Sequence, residues 1–134
     1  AGSHAISEDE QRRHIARGHC LVATVDDDIV GFITCRPCGR ELDIVELDVA
    51  PAHQRRGIGA GLVRATQIDA RNAGFRAITL TTFRSIPWNA PFYARLGFAE
   101  ISDLQSHSRL HAAIATHGAS GLPASERVAM IHYL

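Results

Sequence analysis

The fold is decided by one stretch of the chain, Val49-Ala50-Pro51-Ala52-His53-Gln54-Arg55-Arg56-Gly57-Ile58-Gly59-Ala60-Gly61. An alternating strand, Glu41 to Val49, leads into it, and its glycines open into a predicted helix. A helix N-terminus offers backbone N–H groups and the positive end of the helix dipole to an anion. Gly57 and Gly59 lack the Cβ atoms that would keep a diphosphate away, and Arg55-Arg56 adds charge. The stretch predicts a site for a phosphate-bearing cofactor. The alternative is that the glycines only permit tight packing of helix on strand.

Two generic glycine loops do not fit this spacing. A dinucleotide fingerprint has the form G-x-G-x-x-G, and a P-loop ends in G-K-[ST], whereas this chain contains no lysine. The segment Gln54-Arg55-Arg56-Gly57-Ile58-Gly59, after Leu47-x-Val49-x-Pro51, instead resembles the acyl-CoA loop of the GNAT superfamily of N-acetyltransferases. Further along, Asn89-Ala90-Pro91-Phe92-Tyr93-Ala94-Arg95-Leu96-Gly97-Phe98 is similar to that family's second motif. The resemblance covers Cys20 to Ile101.

The resemblance implies a single α/β domain. Its sheet is expected to be mixed and mostly antiparallel, with one parallel strand pair splayed around the cofactor and helices on both faces. Hydrophobic periodicity and turn residues predict the individual elements. In chain order these are a helix over Ser7–Ala16, a hairpin of strands His19–Val25 and Ile29–Cys35, a strand Glu41–Val49, a helix from Gly59 to Asn72, a strand Phe75–Phe83, a short helix capped by Asn89 or Trp88 that stops at Gly97, a strand Phe98–Ile101, a helix Leu104–His117 and a final strand Arg127–Leu134.

The composition is that of one ordinary globular domain. The 134 residues are 46% hydrophobic and 21% charged. Fourteen basic and fourteen acidic residues leave no net charge, which argues against a nucleic-acid binder with its basic stripe. No apolar run is long enough to span a bilayer and no signal peptide is visible, so we expect a cytoplasmic protein with neither nucleic acid nor membrane as a partner. We interpret residues 1–4 as the remnant of an expression tag and residues 5–134 as the domain.

Acetyl transfer to an amine needs a proton acceptor, and the strand before the loop is rich in carboxylates. Simple alternation puts Asp43 on the opposite face from Glu46 and Asp48. A β-bulge, which is common near the end of this strand in the family, would switch the faces partway. The resemblance places a general-base carboxylate near both Glu46 and Asp43. We expect Glu46, which lies nearer the loop, with Asp43 second; the alternative for each is a solvated carboxylate on the sheet face.

The resemblance also supplies a proton donor and an acyl donor. Tyr93 matches the family's general acid, because a phenol keeps its proton at neutral pH and can give it to a departing thiolate; the alternative is a core tyrosine. Acetyl-CoA is implied as the acyl donor, without a metal, and the backbone N–H of Val49 is implied to polarise the thioester carbonyl. The residues implied to bind acetyl-CoA are Leu47, Val49, Gln54, Arg55, Arg56, Gly57, Ile58, Gly59, Ala60, Asn89 and Arg95.

These features predict an N-acetyltransferase that moves the acetyl group directly to a primary amine within a ternary complex. We expect the acceptor to be a small molecule rather than a protein. The alternative is a non-catalytic acyl-CoA-binding or sensor protein with a degenerate acceptor site. It follows from the expectation that the family's usual first strand and first helix are absent before Ile6, either because the gene product is truncated or because residues have been left out of this chain. That absence leaves the strand His19–Val25 at a sheet edge, through which a homodimer is expected to form.

One further motif, Cys35-Arg36-Pro37-Cys38, has the C-x-x-C spacing found in zinc and redox sites. A structural zinc site needs four ligands, and the chain has no second C-x-x-C. Redox pairs begin helices, whereas this pair follows a strand. We therefore expect strand-end cysteines in a reducing compartment, with a small metal or redox module as a further alternative.

Overall fold

The computed structural model describes residues 19–84, 86–117 and 126–134. The predicted helix over Ser7–Ala16, the residues interpreted as a tag remnant and the predicted loop from Gly118 to Pro123 lie outside the described residues, and so does the segment on which the expected loss of a first strand and helix depends. Within these ranges six strands form one sheet: β1 (His19–Val25), β2 (Asp28–Cys38), β3 (Glu41–Val49), β4 (Ala77–Phe83), β5 (Ala99–Glu100) and β6 (Arg127–Tyr133). The described α-helices are α1 (Ile58–Asn72), α2 (Asn89–Arg95) and α3 (Ser108–His117).

The strand order in the sheet is β1-β2-β3-β4-β6-β5. The pairs β1–β2, β2–β3 and β5–β6 are antiparallel. The Arg84 N–H, just after β4, donates to the Glu126 carbonyl, just before β6 (2.6 Å), so this pair is antiparallel too. The one parallel pair is therefore β3 and β4, which α1 connects, and the predicted mixed sheet is confirmed. Among the described strands β1 lies at an edge, as predicted; a homodimer through it stays a prediction.

The predicted hairpin of β1 and β2 is confirmed. Asp26 and Asp27 turn the chain with φ values of +51° and +68°, a left-handed conformation that aspartate tolerates better than most residues. The second strand is longer than expected, because it continues through Pro37 to Cys38. Proline has no N–H to donate to a neighbouring strand. Pro37 lies two residues past Cys35, which is the partner of His19 at the start of β1, so no residue of β1 loses a hydrogen bond.

The contacts divide the chain into two compact units, one up to Ile78 with Leu134 and one of Thr79–Tyr133. In the first unit α1 contacts β1, β2 and β3. The close approach comes at Gly31 of β2, where a Cβ would lie 3.0 Å from the Asp48 carbonyl oxygen and 3.3 Å from Cγ2 of Ile58. Gly31 therefore lets α1 pack onto the sheet. The helix ends at Asn72, as predicted, and Gly74 follows with a φ of +89°.

The second unit departs from the sequence prediction at two elements. The predicted strand Phe98–Ile101 is only the two-residue β5. The predicted helix Leu104–His117 is divided into a 3-10 turn, Leu104–Ser106, and α3. His107 separates them, and its Nδ1 accepts a hydrogen bond from the Leu110 N–H (3.4 Å), which caps α3. The core of this unit joins α3 to β6 and contains Leu110, Ile114 and Ala129, with Ile101 and Leu104 packed against them. None of the described helices is both long and apolar enough to cross a membrane.

Candidate active site

The helix α1 begins with an open N-terminus. Its N-cap residue, Gly57, has a φ of +80° and no side chain with which to cap the helix. The Gly61 N–H donates to the Gly57 carbonyl (2.9 Å), which closes the first turn. Within the described ranges no group accepts a hydrogen bond from the N–H groups of residues 58–60, because the start of a helix leaves them without partners. The first turn holds no acidic residue, so the positive end of the helix dipole is uncompensated.

The two residues before Gly57 bring positive charge to this helix start. Arg55 and Arg56 are exposed, and Arg55 has a φ of +64°. A Cβ at Gly57 would have no heavy atom within 4 Å. The alternative that this glycine serves tight packing is therefore wrong; the left-handed backbone is what requires it.

Gln54 fastens the loop to the end of β3. Its side-chain Nε2 donates to the Val49 carbonyl (3.0 Å). Between these residues the chain makes the 3-10 turn Pro51–His53, and the Ala50 N–H donates to the Val30 carbonyl of β2 (2.7 Å). The short path from strand end to helix start is thus held by hydrogen bonds at both ends.

A β-bulge at Val45 decides which side chains share a face of β3. Cys35 of β2 lies opposite Ile44, and Thr34 lies opposite Glu46, so Val45 is the extra residue. Because cross-strand partners point to the same face, the extra residue shifts the alternation by one position. Simple alternation is therefore wrong for this strand, and the bulge that the family resemblance suggested is the reason. The residues that share one face are Glu41, Asp43, Glu46 and Asp48.

The carboxylates before the bulge are paired with arginines. Oε2 of Glu41, which is buried, lies 3.5 Å from Nη2 of Arg76. Oδ2 of Asp43 lies 3.9 Å from Nη2 of Arg36, and the Asp43 side chain is 14% exposed. Each of these two acids thus forms an ion pair with an arginine.

The carboxylates after the bulge are exposed and contact each other. Glu46 forms a hydrogen bond with the Asp48 side chain, and this bond, partial burial and the charge of Asp48 together raise the pKa of the Glu46 carboxyl. In the part of the chain that the structure describes, neither acid forms an ion pair with an arginine. A raised pKa makes Glu46 a better proton acceptor near neutral pH, which is the property that a general base needs.

In the second unit, α2 carries Tyr93 between two aromatic rings. The Tyr93 ring is partly buried and packs edge-on against Phe92 and Phe98, with centroid distances of 5.0 and 5.7 Å. The helix ends where the Phe98 N–H donates to the Tyr93 carbonyl (3.1 Å), and Gly97 adopts a φ of +95°. The rings on both sides fix the orientation of the phenol.

Asn89 anchors α2 to the sheet and does not cap it. Its Nδ2 donates to Oγ1 of Thr82 on β4 (2.8 Å), while the N-cap position belongs to Trp88. Trp88 is 70% exposed, so it does not pack in the core. Arg95 is exposed in the last turn of the same helix. Binding of acetyl-CoA by Asn89 and Arg95 stays a prediction.

The sequence of this chain matches a known protein family. The profile of the acetyltransferase (GNAT) family covers residues 2–98, which include the loop before α1, the carboxylates of β3 and Tyr93. The chain belongs to the GNAT acetyltransferase family. The GNAT resemblance inferred from the two sequence motifs is confirmed.

Solved structures show the same GNAT fold. An IAA acetyltransferase from Bacillus cereus has a TM-score of 0.70 at 20% identity, over 96% of this chain and 85% of that protein. A Bacillus subtilis acetyltransferase in complex with CoA has a TM-score of 0.69 at 20% identity, over 96% and 84%. The ribosomal-protein-S18-alanine N-acetyltransferase from Escherichia coli has a TM-score of 0.65 at 16% identity, over 98% and 80%. At these identities the likeness establishes the fold, and the acceptor must be argued from this chain's own residues.

The cysteines of this GNAT chain do not form a paired site. Cys35 and Cys38 are three residues apart on β2, and so point to opposite faces of the sheet. Burial, with the charges of Asp43 and Cys20, raises the pKa of the Cys35 thiol to about 12, and this thiol stays protonated at neutral pH. Among the described residues no three metal-ligating side chains lie together. The separation of the two sulfurs argues against the metal or redox alternative.

Sequence reasoning missed three partners of the β3 carboxylates. The contact between Glu46 and Asp48 could have been predicted from the sequence, because residues two apart on a strand point to the same face. The two ion pairs could not be predicted in this way. The pair of Asp43 with Arg36 depends on the register of β2 and β3, and the pair of Glu41 with Arg76 depends on the path of the chain after α1.

Proposed function

We propose that this GNAT chain is an N-acetyltransferase that transfers the acetyl group of acetyl-CoA directly to a primary amine within a ternary complex. One observation carries the proposal: the open N-terminus of α1, with left-handed Gly57 and three N–H groups that lack acceptors, beside Arg55 and Arg56. Backbone donors, helix dipole and two guanidinium groups suit a diphosphate, which carries negative charge on several oxygens. Family membership makes acyl-CoA the diphosphate-bearing substrate of choice.

We assign the residues of the loop to the donor. Gln54–Ala60 hold the diphosphate, and Leu47 and Val49 bind the pantetheine arm along the end of β3. The Val49 N–H polarises the thioester carbonyl. Asn89 and Arg95 complete the proposed set.

In the proposed reaction Glu46 takes a proton from the ammonium form of the acceptor. The amine nitrogen then attacks the thioester carbonyl carbon, the carbon–sulfur bond breaks, and the thiolate takes the Tyr93 hydroxyl proton. The acetylated nitrogen releases its remaining extra proton to solvent, and the Tyr93 phenolate takes a proton back from solvent, which leaves the neutral amide, the CoA thiol and the original phenol. The raised pKa of Glu46 supports the first role, and the ion pair of Asp43 with Arg36 disfavours Asp43 for it. The edge-on rings that orient Tyr93 support the second.

Calorimetric titration with acetyl-CoA tests the proposal with a matched pair of glycine variants. Gly57 and Gly39 both have a positive φ (+80° and +60°), and a Cβ at either would meet nothing within 4 Å. Alanine at either position therefore causes similar backbone strain, about 1–2 kcal/mol. Gly57→Ala also places a methyl group where the diphosphate approaches, and we expect its acetyl-CoA affinity to fall at least about tenfold, while Gly39→Ala binds like wild type.

Two results would count against the proposal. Folded wild-type protein that does not bind acetyl-CoA contradicts the site, as does an equal loss of affinity in both variants. A screen of amines, read by release of the CoA thiol, then separates the enzyme from the sensor alternative. Binding without turnover on any amine favours a non-catalytic acyl-CoA-binding protein.

A further inference from the structure

The C-terminal end of α2 is held by a histidine of β6. Nδ1 of His132 lies 2.9 Å from the Gly97 carbonyl oxygen. Because a carbonyl oxygen can only accept a hydrogen bond, Nδ1 is the ring nitrogen that carries a proton and donates. The imidazole comes so close that a Cβ at Gly97 would lie 2.8 Å from Nδ1. A residue with a side chain at position 97 would therefore push the imidazole away, and the glycine permits this contact.

The same imidazole contacts the aromatic rings that surround Tyr93. The centroid of the His132 ring lies 5.4 Å from that of Phe98, and the Phe98 centroid lies 5.7 Å from that of Tyr93. The Phe98 N–H also donates to the Tyr93 carbonyl (3.1 Å). His132 is thus connected to Tyr93 in two ways, through the backbone turn that ends α2 and through one intervening ring.

Both ends of α2 are attached to the same face of the sheet. The hydrogen bond between Arg84 and Glu126 fixes the register of β4 and β6. Thr82 and His132 each lie an even number of residues from that pair, so they point to one face. Asn89 joins the start of α2 to Thr82, and His132 joins its end to β6. A helix of seven residues is too short to be stable alone, so these contacts determine its position.

We propose that His132 is a positioning residue for Tyr93, the proton donor of the proposed acetyl transfer. This inference rests on the proposed function. The hydrogen bond to the Gly97 carbonyl and the contact with Phe98 fix the end of α2, and with it the direction of the Tyr93 phenol. The hydroxyl must meet the departing thiolate at hydrogen-bond distance, and a displacement of about 1 Å can cost about 10²-fold in rate. His132 itself exchanges no proton with the substrate.

Two other roles for His132 make different predictions. A residue that only stabilises the second unit affects the rate whether or not Tyr93 has its hydroxyl. A histidine that itself donates the proton needs a ring that titrates, and no amide can replace it. Asparagine separates these roles from positioning. Its Nδ2 is attached to Cγ as Nδ1 is in the imidazole, so it donates from about the same place without titrating.

Steady-state kinetics at saturating acetyl-CoA test the positioning role. His132→Ala should lower kcat about 10- to 100-fold and leave the KM for acetyl-CoA within about twofold, because a general acid acts in the transition state. His132→Asn should restore kcat to within about threefold of the wild type, with the same pH profile. The control is the exposed histidine of α3, and His111→Ala should leave kcat within about twofold.

A double-mutant cycle shows whether His132 acts through the phenol. Tyr93→Phe removes the hydroxyl, so in this background His132→Ala should change the remaining kcat less than about twofold. An equal loss in both backgrounds indicates a structural role and overturns the inference. The inference is also overturned if His132→Asn is as slow as His132→Ala, because the imidazole itself is then required.

If no amine is acetylated, the proposed function fails, and the orientation of Tyr93 is tested by NMR without substrate. The chain has two tyrosines, so ring labelling gives two sets of signals, which Tyr93→Phe assigns. His132→Ala should move the Tyr93 ring signals toward those of an unstructured tyrosine, because neighbouring rings no longer hold it in one environment. His132→Asn should keep them near their wild-type positions. Tyr93 signals that stay unchanged in His132→Ala contradict the inference.

Discussion

The two halves of β3, on either side of Val45, carry the same kinds of residue on the same face but differ in what those residues touch. Before the bulge, Glu41 and Asp43 lie 3.5 and 3.9 Å from arginine nitrogens. After the bulge, Glu46 and Asp48 are exposed, and their side chains form a hydrogen bond with each other. An arginine favours the ionised form of a carboxyl group, whereas a second carboxylate favours the protonated form. The contacts of a carboxylate, and not its residue type, thus decide its role. Glu41 and Asp43, which pair with arginines, are suited to stabilising the fold, and Glu46, which contacts a second carboxylate, is suited to transferring a proton.

The largest expected effect is on catalysis, in the second half of the strand. Glu46→Gln removes the proposed proton acceptor without changing its size, and kcat/KM should fall about 10²- to 10⁴-fold. Asp43→Asn is the matched change in the first half, and its effect on the rate should be less than about tenfold. Steady-state rates at saturating acetyl-CoA measure both. The reverse order of effects would assign the base to Asp43.

An intermediate effect is expected on stability, in the first half. Glu41→Gln removes the charge of a buried carboxylate that pairs with Arg76, and the free energy of unfolding should fall by about 1–3 kcal/mol. Asp48→Ala, at an exposed position, should change it by less than about 0.5 kcal/mol. Urea denaturation compares the two variants. Equal losses would mean that the halves do not differ in the way that their contacts indicate.

The smallest expected effect is a shift of the pH profile. Transfer requires ionised Glu46, so the rate falls as the pH drops through the pKa of this residue. Because Asp48 raises that pKa, Asp48→Ala should lower it and move the acid limb of kcat/KM to lower pH. Asp43→Asn should leave the limb nearer its wild-type position. An acid limb that does not move in Asp48→Ala would show that another group controls it.

The local elements around the loop could be predicted because their signals lie within a few residues. Alternating residues gave Glu41–Val49 as β3, and the glycine-rich turn placed the start of α1 within one residue of Ile58. The helix over Leu104–His117 was predicted without its interruption at His107, because the apolar spacing continues through that position. In the structure the Leu110 N–H donates to the His107 side chain, and a new helix begins there. Hydrophobic periodicity does not contain information about such a hydrogen bond.

By itself the sequence determined the family, the strand–loop–helix that presents backbone donors at Gly57, and the presence of several carboxylates and one tyrosine with suitable chemistry. These follow from residue type and short spacing. The tertiary structure alone decided that the bulge at Val45 places the carboxylates on one face, and that two of them form ion pairs with arginines. It also decided that His132 contacts Gly97 and Phe98. Each of these contacts joins residues on different strands or on distant parts of the chain. Their meeting depends on register, which a shift of one residue changes completely and no short segment encodes.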